Sequence, residues 1–165
     1  MATMSAITCL TADESSEWLR SHGYIAPYES GFAFHREVKT PLDSGQKCAL
    51  AKCILRWLPA DGECILLITA WGIWPSSENR ELFERVRASL GETRTIVELP
   101  GQVLPLENKG VLECLLDVCF YNFWDIVFAD ARHRWLIRFS HDEYITIDAD
   151  PAFAPLAEQA LNAFQ

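Results

Sequence analysis

The sequence lacks the short motifs that mark the best-known enzyme classes. It contains no G-x-x-x-x-G-K-S/T loop, no G-x-G-x-x-G turn, no H-E-x-x-H pair and no G-x-S-x-G nucleophile motif. These absences argue against common nucleotide-binding enzymes, zinc proteases and serine hydrolases. They leave open enzymes that use less familiar arrangements of residues.

Long apolar segments are also missing. The longest apolar run extends from Cys64 to Trp74, and Thr69 and Gly72 interrupt it. It does not reach the roughly 18–20 residues that a membrane span requires. The chain does not open with a charged segment followed by an apolar run, so we expect no secretory leader, no membrane association and a cytoplasmic location.

Cysteine pairs with the spacing of metal or redox motifs are absent. No two of the six cysteines form a C-x-x-C motif, and most lie among leucine, isoleucine and valine, where a free thiol acts as a small apolar side chain. We interpret them as reduced thiols in a cytosol, and we expect neither a metal nor another cofactor. The six are Cys9, Cys48, Cys53, Cys64, Cys114 and Cys119.

Basic side chains are few compared with acidic ones. The 165 residues include 14 lysines and arginines and 23 aspartates and glutamates, which gives a formal net charge of −9 at pH 7. A charge of this sign repels nucleic acid and anionic membranes. It either serves solubility alone or attracts a basic protein, so we expect no nucleic-acid partner.

The patterns predict one α+β domain over residues 1–165, with helices packed on a central, mostly antiparallel sheet. Half of the residues are hydrophobic, which is enough for a substantial core, and a chain of this length normally forms one domain. Helices and strands are mixed without strict alternation, and this order favours an α+β fold.

Local signals place the predicted elements. Thr11 and Glu14 form a capping box before a helix, apolar residues recur at helical spacing over 46–58, and the apolar run after Glu63 is typical of a central strand. Ser76 or Ser77 is expected to cap a further helix. Other helices are predicted over 108–121 and after Pro151, and other strands over 31–38, 93–99, 123–128, 134–139 and 144–147.

The segment W-G-I-W-P-S-S-E-N, residues 71–79, is the first candidate site. It joins the apolar strand to the next helix, where helix N-termini favour anions and tryptophans are frequent interface anchors. Trp71, Trp74, Glu78 and Asn79 are therefore candidate partner-binding residues. The alternative is that both indoles complete the core and the serines only cap the helix.

The run Ser140-His141-Asp142-Glu143 follows a predicted strand and is the second candidate site. A histidine beside two carboxylates can do general acid–base work or bind a divalent ion. The alternative is a turn in which Ser140 and Asp142 cap free backbone groups.

Asp125 lies beside aromatic residues in the run Tyr121-Asn122-Phe123-Trp124-Asp125, which is the third candidate. If it is buried, it needs a partner, and Arg134 or Arg138 on the next strand could provide one. The alternative is ordinary packing of the aromatic rings.

Four runs resemble a widespread bacterial family of small proteins to which no activity is assigned. They are 71–79, Leu99-Pro100-Gly101, Phe123-Trp124-Asp125 and 140–143, and the resemblance covers roughly residues 46–148. It implies no catalytic residue. In size, acidity and lack of enzyme motifs, the chain is also similar to immunity proteins, the cytosolic antidotes that bind and block antibacterial toxins.

The leading hypothesis is an immunity-type protein that neutralises a cognate basic toxin, with Trp74 as the preferred anchor. Electrostatic attraction would speed association, and buried aromatic or arginine anchors would supply affinity. One alternative is a small hydrolase or metal-dependent enzyme in which His141 works with Asp142 or Glu143 and meets Asp125 or Asn79. Another is a structural or regulatory subunit with a large apolar patch. The partner-binding candidates are Trp71, Trp74, Glu78, Asn79, Glu81, Glu84, His141, Asp142 and Glu143.

Overall fold

The computed structural model describes residues 7–25, 31–71 and 79–162. The strands there are β1 (Thr8–Leu10), β2 (Phe34–Lys39), β3 (Glu63–Ala70), β4 (Gly101–Pro105), β5 (Asp125–Asp130), β6 (Trp135–Ser140) and β7 (Tyr144–Ala149). The helices are α1 (Ala12–Ser21), α2 (Ser44–Trp57), α3 (Arg80–Ser89), α4 (Lys109–Tyr121) and α5 (Ala154–Asn162). No helix within these ranges is both long enough and apolar enough to cross a membrane.

The strands form one antiparallel sheet in the order β1-β4-β3-β5-β6-β7-β2. Strands β5, β6 and β7 are consecutive neighbours joined by tight turns, whereas β2 pairs with β7 from far away in sequence. The α+β prediction is therefore confirmed. Strand order brings the ends of β3, β5 and β6 together, and this positions the candidate site.

The larger core lies between one face of the sheet and helices α2, α3, α4 and α5. Alternate residues of β6 face it, namely Trp135, Ile137 and Phe139. Helix α4 is broadly apolar because it is covered on several sides, with Leu112 and Leu115 completely buried.

A smaller core lies on the opposite face, where α1 covers part of β3, β4 and β5. Leu19 and Tyr24 pack there against Ile65 and neighbouring strand residues. The hydroxyl oxygen of Tyr24 lies 2.8 and 2.9 Å from the carbonyl oxygens of Asp130 and Trp135, and its single O–H donates between them. These bonds tie the end of α1 to the β5–β6 hairpin.

Beyond β5, this second face carries polar side chains from β6, β7 and β2. Asp148 is almost fully buried and accepts from Arg138 Nη2 at 2.9 Å, and its other oxygen is 2.6 Å from His35 Nδ1. Thr146 is in register with Arg138 on one side and Glu37 on the other. We call this region the polar face.

Several predicted elements are confirmed. The Thr11–Glu14 capping box is present with both of its hydrogen bonds, and helices cover most of 46–58 and 108–121. The strand predicted over 93–99 is wrong: Thr95 and Glu98 cap each other across a turn, and the strand begins only at Gly101.

The start of α3 also differs from the prediction. Its N-cap is Asn79, whose side chain makes no capping hydrogen bond, so the helix begins later than a serine cap at 76 or 77 would place it. Ser76 and Ser77 lie outside the described residues.

Candidate functional site

Asp125 and Ser140, from two of the runs that the sequence singled out, meet Ala70, which precedes the tryptophan-rich run, at one end of the sheet. Ala70, the last residue of β3, is the register partner of Asp125, and Ile126 is the partner of Phe139. Antiparallel pairing therefore brings the end of β3, the start of β5 and the end of β6 side by side. We call this region, defined by Ala70, Asp125 and Ser140, the site end of the sheet.

Asp125 and His141 form the central contact of the site end. The ring Nδ1 of His141 lies 2.9 and 3.0 Å from the two carboxylate oxygens, and its backbone N–H donates to Oδ1 at 2.6 Å. The side chains are 24 and 32% exposed. Because a carboxylate can only accept, Nδ1 is the donor, which leaves Nε2 of a neutral imidazole as an acceptor.

The partner of Asp125 differs from the one that the strand pattern suggested. Arg134 instead donates to the buried carboxylate of Asp130 through Nε and Nη2, at 2.6 and 2.9 Å. Asp130 raises the pKa of Arg134 through these bonds. Arg138 donates to Asp148, so a histidine from the following turn satisfies Asp125.

The turn that presents His141 has its own local reasons to form. The hydroxyl of Ser140 accepts from the backbone N–H of Asp142 at 3.2 Å, and the N–H of Glu143 donates to the Ser140 carbonyl at 3.0 Å. Glu143 has φ of 66°, which tightens the reversal into β7. Ser140 therefore caps the turn as one interpretation expected, and the same turn directs His141 toward Asp125.

A polar recess of about 200 Å³ opens beside this contact on the polar face. Thr69 enters it from a β-bulge, where the register of β3 on β5 shifts between Ile68 and Ala70. Bulges commonly re-aim a side chain beside a functional site. The recess is lined by Thr69, Asp125, Ile126, Arg138, Phe139, Ser140 and Thr146.

The acidic candidates differ in whether neighbouring groups pair with their carboxylates. Glu81 pairs with Arg85 at 2.5 Å, and Glu143 pairs with Lys39 at 3.6 Å. Glu84 is half-buried and accepts from the backbone N–H of Ile96 at 3.3 Å. Neighbouring groups therefore engage these three carboxylates.

Asp142 is the most open of the acidic candidates that the structure describes, with a side chain that is 77% exposed. Its Oδ1 lies 3.6 Å from His141 Nε2, which is too far for a direct hydrogen bond. It therefore presents a carboxylate to solvent at the rim of the site end.

The two ends of the tryptophan-rich segment are in different environments. Trp71 is half-buried and packs against the larger core, whereas Asn79 is exposed at the start of α3. Phe83 of α3 packs on Trp124 with ring centroids 5.6 Å apart, which links α3 to the residue before Asp125. Trp74 and Glu78 lie outside the described residues.

Lys47 is a buried cation near the site end that the sequence did not reveal. Its Nζ lies 3.4 Å from the centroid of the Phe123 ring, a favourable cation–π distance. Burial lowers the pKa of Lys47, and the charge of Glu143 acts against that shift. Phe123 itself has φ of 53°, so the chain turns sharply just before β5 begins.

The sequence did not indicate Thr69 or Thr146 as parts of this site, and it indicated Arg138 only as a possible partner of Asp125. Thr69, Arg138 and Thr146 come from three different strands, and only the strand order places them around one recess. The alternation in β6 did indicate that Arg138 faces away from the larger core. Within the described ranges, no group of three or more histidines, cysteines, aspartates or glutamates could hold a metal ion.

Comparisons with protein-family models, with curated proteins and with solved structures gave no match for this chain. The resemblance to a bacterial family of small proteins, and the similarity in character to immunity proteins, therefore stay predictions.

Proposed function

We propose that this chain is an immunity-type protein that binds a basic antibacterial toxin through the site end and blocks it. The carrying observation is the meeting of Ala70, Asp125 and Ser140 at one end of the sheet. Three segments that are distant in sequence thereby contribute to one surface.

Charge supports a basic partner. The chain carries a net charge of −9, and Asp142 presents an open carboxylate at the rim of the site end. Long-range attraction between oppositely charged proteins speeds association, with rate constants of up to about 10⁸–10⁹ M⁻¹s⁻¹ at low salt. An antidote benefits from such speed because it must capture the toxin before the toxin acts.

The test is a pull-down from the native cell with the tagged chain as bait, at low and at high salt. We expect one basic protein to be recovered, less of it at high salt because salt screens exposed charges. Asp142→Lys should weaken binding of the purified partner about tenfold, equivalent to about 1.4 kcal/mol.

Glu107→Lys is the matched control, because Glu107 is exposed and follows β4 at the opposite end of the sheet from Asp125. It makes the same change in net charge. If both variants weaken binding equally, net charge alone explains the interaction and the site end does not. If the folded chain recovers no basic protein, the proposal is refuted.

A second candidate function is acid–base catalysis by a small enzyme. The specific observation in its favour is the contact of His141 Nδ1 with Asp125, which orients the ring and leaves Nε2 toward the outside. Histidine oriented by a carboxylate is a common general base. The sequence suggested Asp142 or Glu143 as the carboxylate that works with His141. In the structure, Asp125 is the carboxylate within hydrogen-bond distance of the ring.

A panel of chromogenic nitrophenyl esters and phosphates tests this second function. Turnover that falls about 10²–10⁴-fold in His141→Gln would support catalysis. Turnover that is equal in wild type and His141→Gln, or that is absent from both, would count against it.

A further inference from the structure

The polar recess has an unusual lining for a position on an exposed sheet face. Three hydroxyl-bearing side chains, Thr69, Ser140 and Thr146, surround it together with the carboxylate of Asp125. Larger side chains in these positions would fill the space. The short side chains leave a volume of about 200 Å³ whose lining combines these oxygen-bearing side chains with Arg138 and the apolar Ile126 and Phe139.

The charges around the recess favour a cation. Arg138 is the cationic group in the lining, and Asp148, which is almost fully buried, accepts from its Nη2 at 2.9 Å. Asp125 then adds a second carboxylate that is 24% exposed. Among the described residues, two carboxylates thus stand beside one guanidinium here, which disfavours an anionic ligand.

The acceptors are spread over several strands instead of being gathered at one point. Thr69 lies on β3, Asp125 on β5, Ser140 on β6 and Thr146 on β7. A guanidinium group carries five N–H donors in one plane, so it can reach several such acceptors at once, whereas an ammonium group is a compact point charge. His141 occupies part of the Asp125 carboxylate, which has about four acceptor positions.

We propose that the recess receives an arginine side chain of the protein partner, which inserts its guanidinium between Asp125 and the three hydroxyls. The inference rests on the proposed function, since it names the residue by which a basic partner is anchored. Arginine is among the residues most enriched at the energetic centres of protein interfaces. A pocketed arginine would add specificity to an attraction that net charge alone does not provide.

The direct probe is Nα-acetyl-arginine amide, titrated into the isotope-labelled full chain while backbone amide shifts are followed by NMR. We expect saturable shifts at Thr69, Ser140 and Thr146 in the millimolar range. Nα-acetyl-lysine amide should bind at least about threefold more weakly because it lacks the planar set of donors. Nα-acetyl-glutamate amide should cause no saturable shift there.

Two variants test the lining. Asp125→Asn should weaken binding of the arginine derivative at least about tenfold through loss of the carboxylate charge. Thr146→Val, which keeps the side-chain shape, should weaken it about threefold through loss of one acceptor. Glu107→Gln removes one negative charge at the opposite end of the sheet and should leave binding unchanged.

The inference is overturned if the arginine derivative gives no saturable shift, if the lysine derivative binds as well, or if Asp125→Asn and Thr146→Val both bind as wild type does. Its failure is distinguishable from failure of the proposed function. Recovery of a basic protein whose affinity is insensitive to Thr146→Val would keep the function and reject the arginine anchor. Binding of the arginine derivative without recovery of any protein would support a guanidinium-binding recess and reject the proposed function.

Discussion

Asp125 holds both the backbone and the ring of His141, so at the scale of single residues it fixes the shape of the site end. Its carboxylate accepts from the His141 backbone N–H at 2.6 Å and from Nδ1 at 2.9 Å. The strand pattern suggested an arginine as the partner of Asp125, whereas the enzyme alternative had His141 meet Asp125 or Asn79. The actual partner follows from the turn after β6, whose geometry depends on Ser140 and on the positive φ of Glu143.

Removal of this carboxylate should therefore destabilise the fold. We expect Asp125→Ala to lower the free energy of unfolding by about 1–3 kcal/mol, because a part-buried N–H and ring lose their acceptor. Asp142→Ala, a matched change at the exposed neighbouring carboxylate, should stay within about 0.5 kcal/mol of wild type. Urea denaturation followed by circular dichroism measures both, and equal stabilities of the two variants would contradict the assigned contact.

Packing of α1 on β4 decides how the second face of the sheet is covered, at the scale of elements. Gly101 starts β4 directly under α1, and a Cβ added there would lie 2.1 Å from the hydroxyl oxygen of Ser15. Only a residue without a side chain allows this approach. The polar face remains open beyond β5, which is where the recess forms.

Gly101→Ala should lower the free energy of unfolding by about 1–3 kcal/mol, because α1 must shift away from β4. Gly110→Ala is the matched control: its added Cβ would meet nothing within 4 Å in α4, so we expect a gain of about 0.4–1 kcal/mol. Thermal or urea unfolding compares them. A Gly101→Ala protein as stable as wild type would show that α1 does not pack as described.

A helix or strand can be predicted from the sequence when the pattern that indicates it lies within one segment of the chain. The Thr11–Glu14 box, the apolar faces of α2 and α4 and the alternation of β6 are all readable within one segment. The strand prediction over 93–99 is wrong although apolar and polar residues alternate there. Thr95 and Glu98 have the same T-x-x-E spacing as the box of α1, and that spacing is the signal that the structure follows. Strand β4 is hard to predict because Pro100 precedes it and Gly101 begins it, a pair that is typical of a turn.

Strand order is a property of the whole molecule, and it separates what the sequence could predict from what it could not. Asp125 begins β5 and His141 directly follows β6, the other strand of the same hairpin, so a hairpin prediction is enough to place them close together. Thr69 and Thr146 lie near Asp125 and His141 only because the strands have the order β3-β5-β6-β7. Short-range patterns contain no information about that order, because each strand could pair with several others.

The net charge of −9 also acts at this scale, since it affects the approach of a partner before any contact forms. Net charge alone does not specify a binding position, because the 23 acidic residues are spread along the sequence. In the proposed function, the position of binding is determined by the site end, where Asp142, the Asp125–His141 contact and the polar recess adjoin. The long-range attraction of a partner and the position at which it binds are thus separate properties, and different variants can remove each of them.

Amide hydrogen exchange of the chain, measured with and without the recovered basic protein, tests most directly whether the site end is the binding surface. The account predicts slower exchange over 69–71 and 138–146 in the complex, because a bound partner shields these amides from solvent. Residues 103–109, which lead to the opposite end of the sheet, should exchange as in the free chain. Protection confined to 103–109, or unchanged exchange over 138–146, would contradict the account.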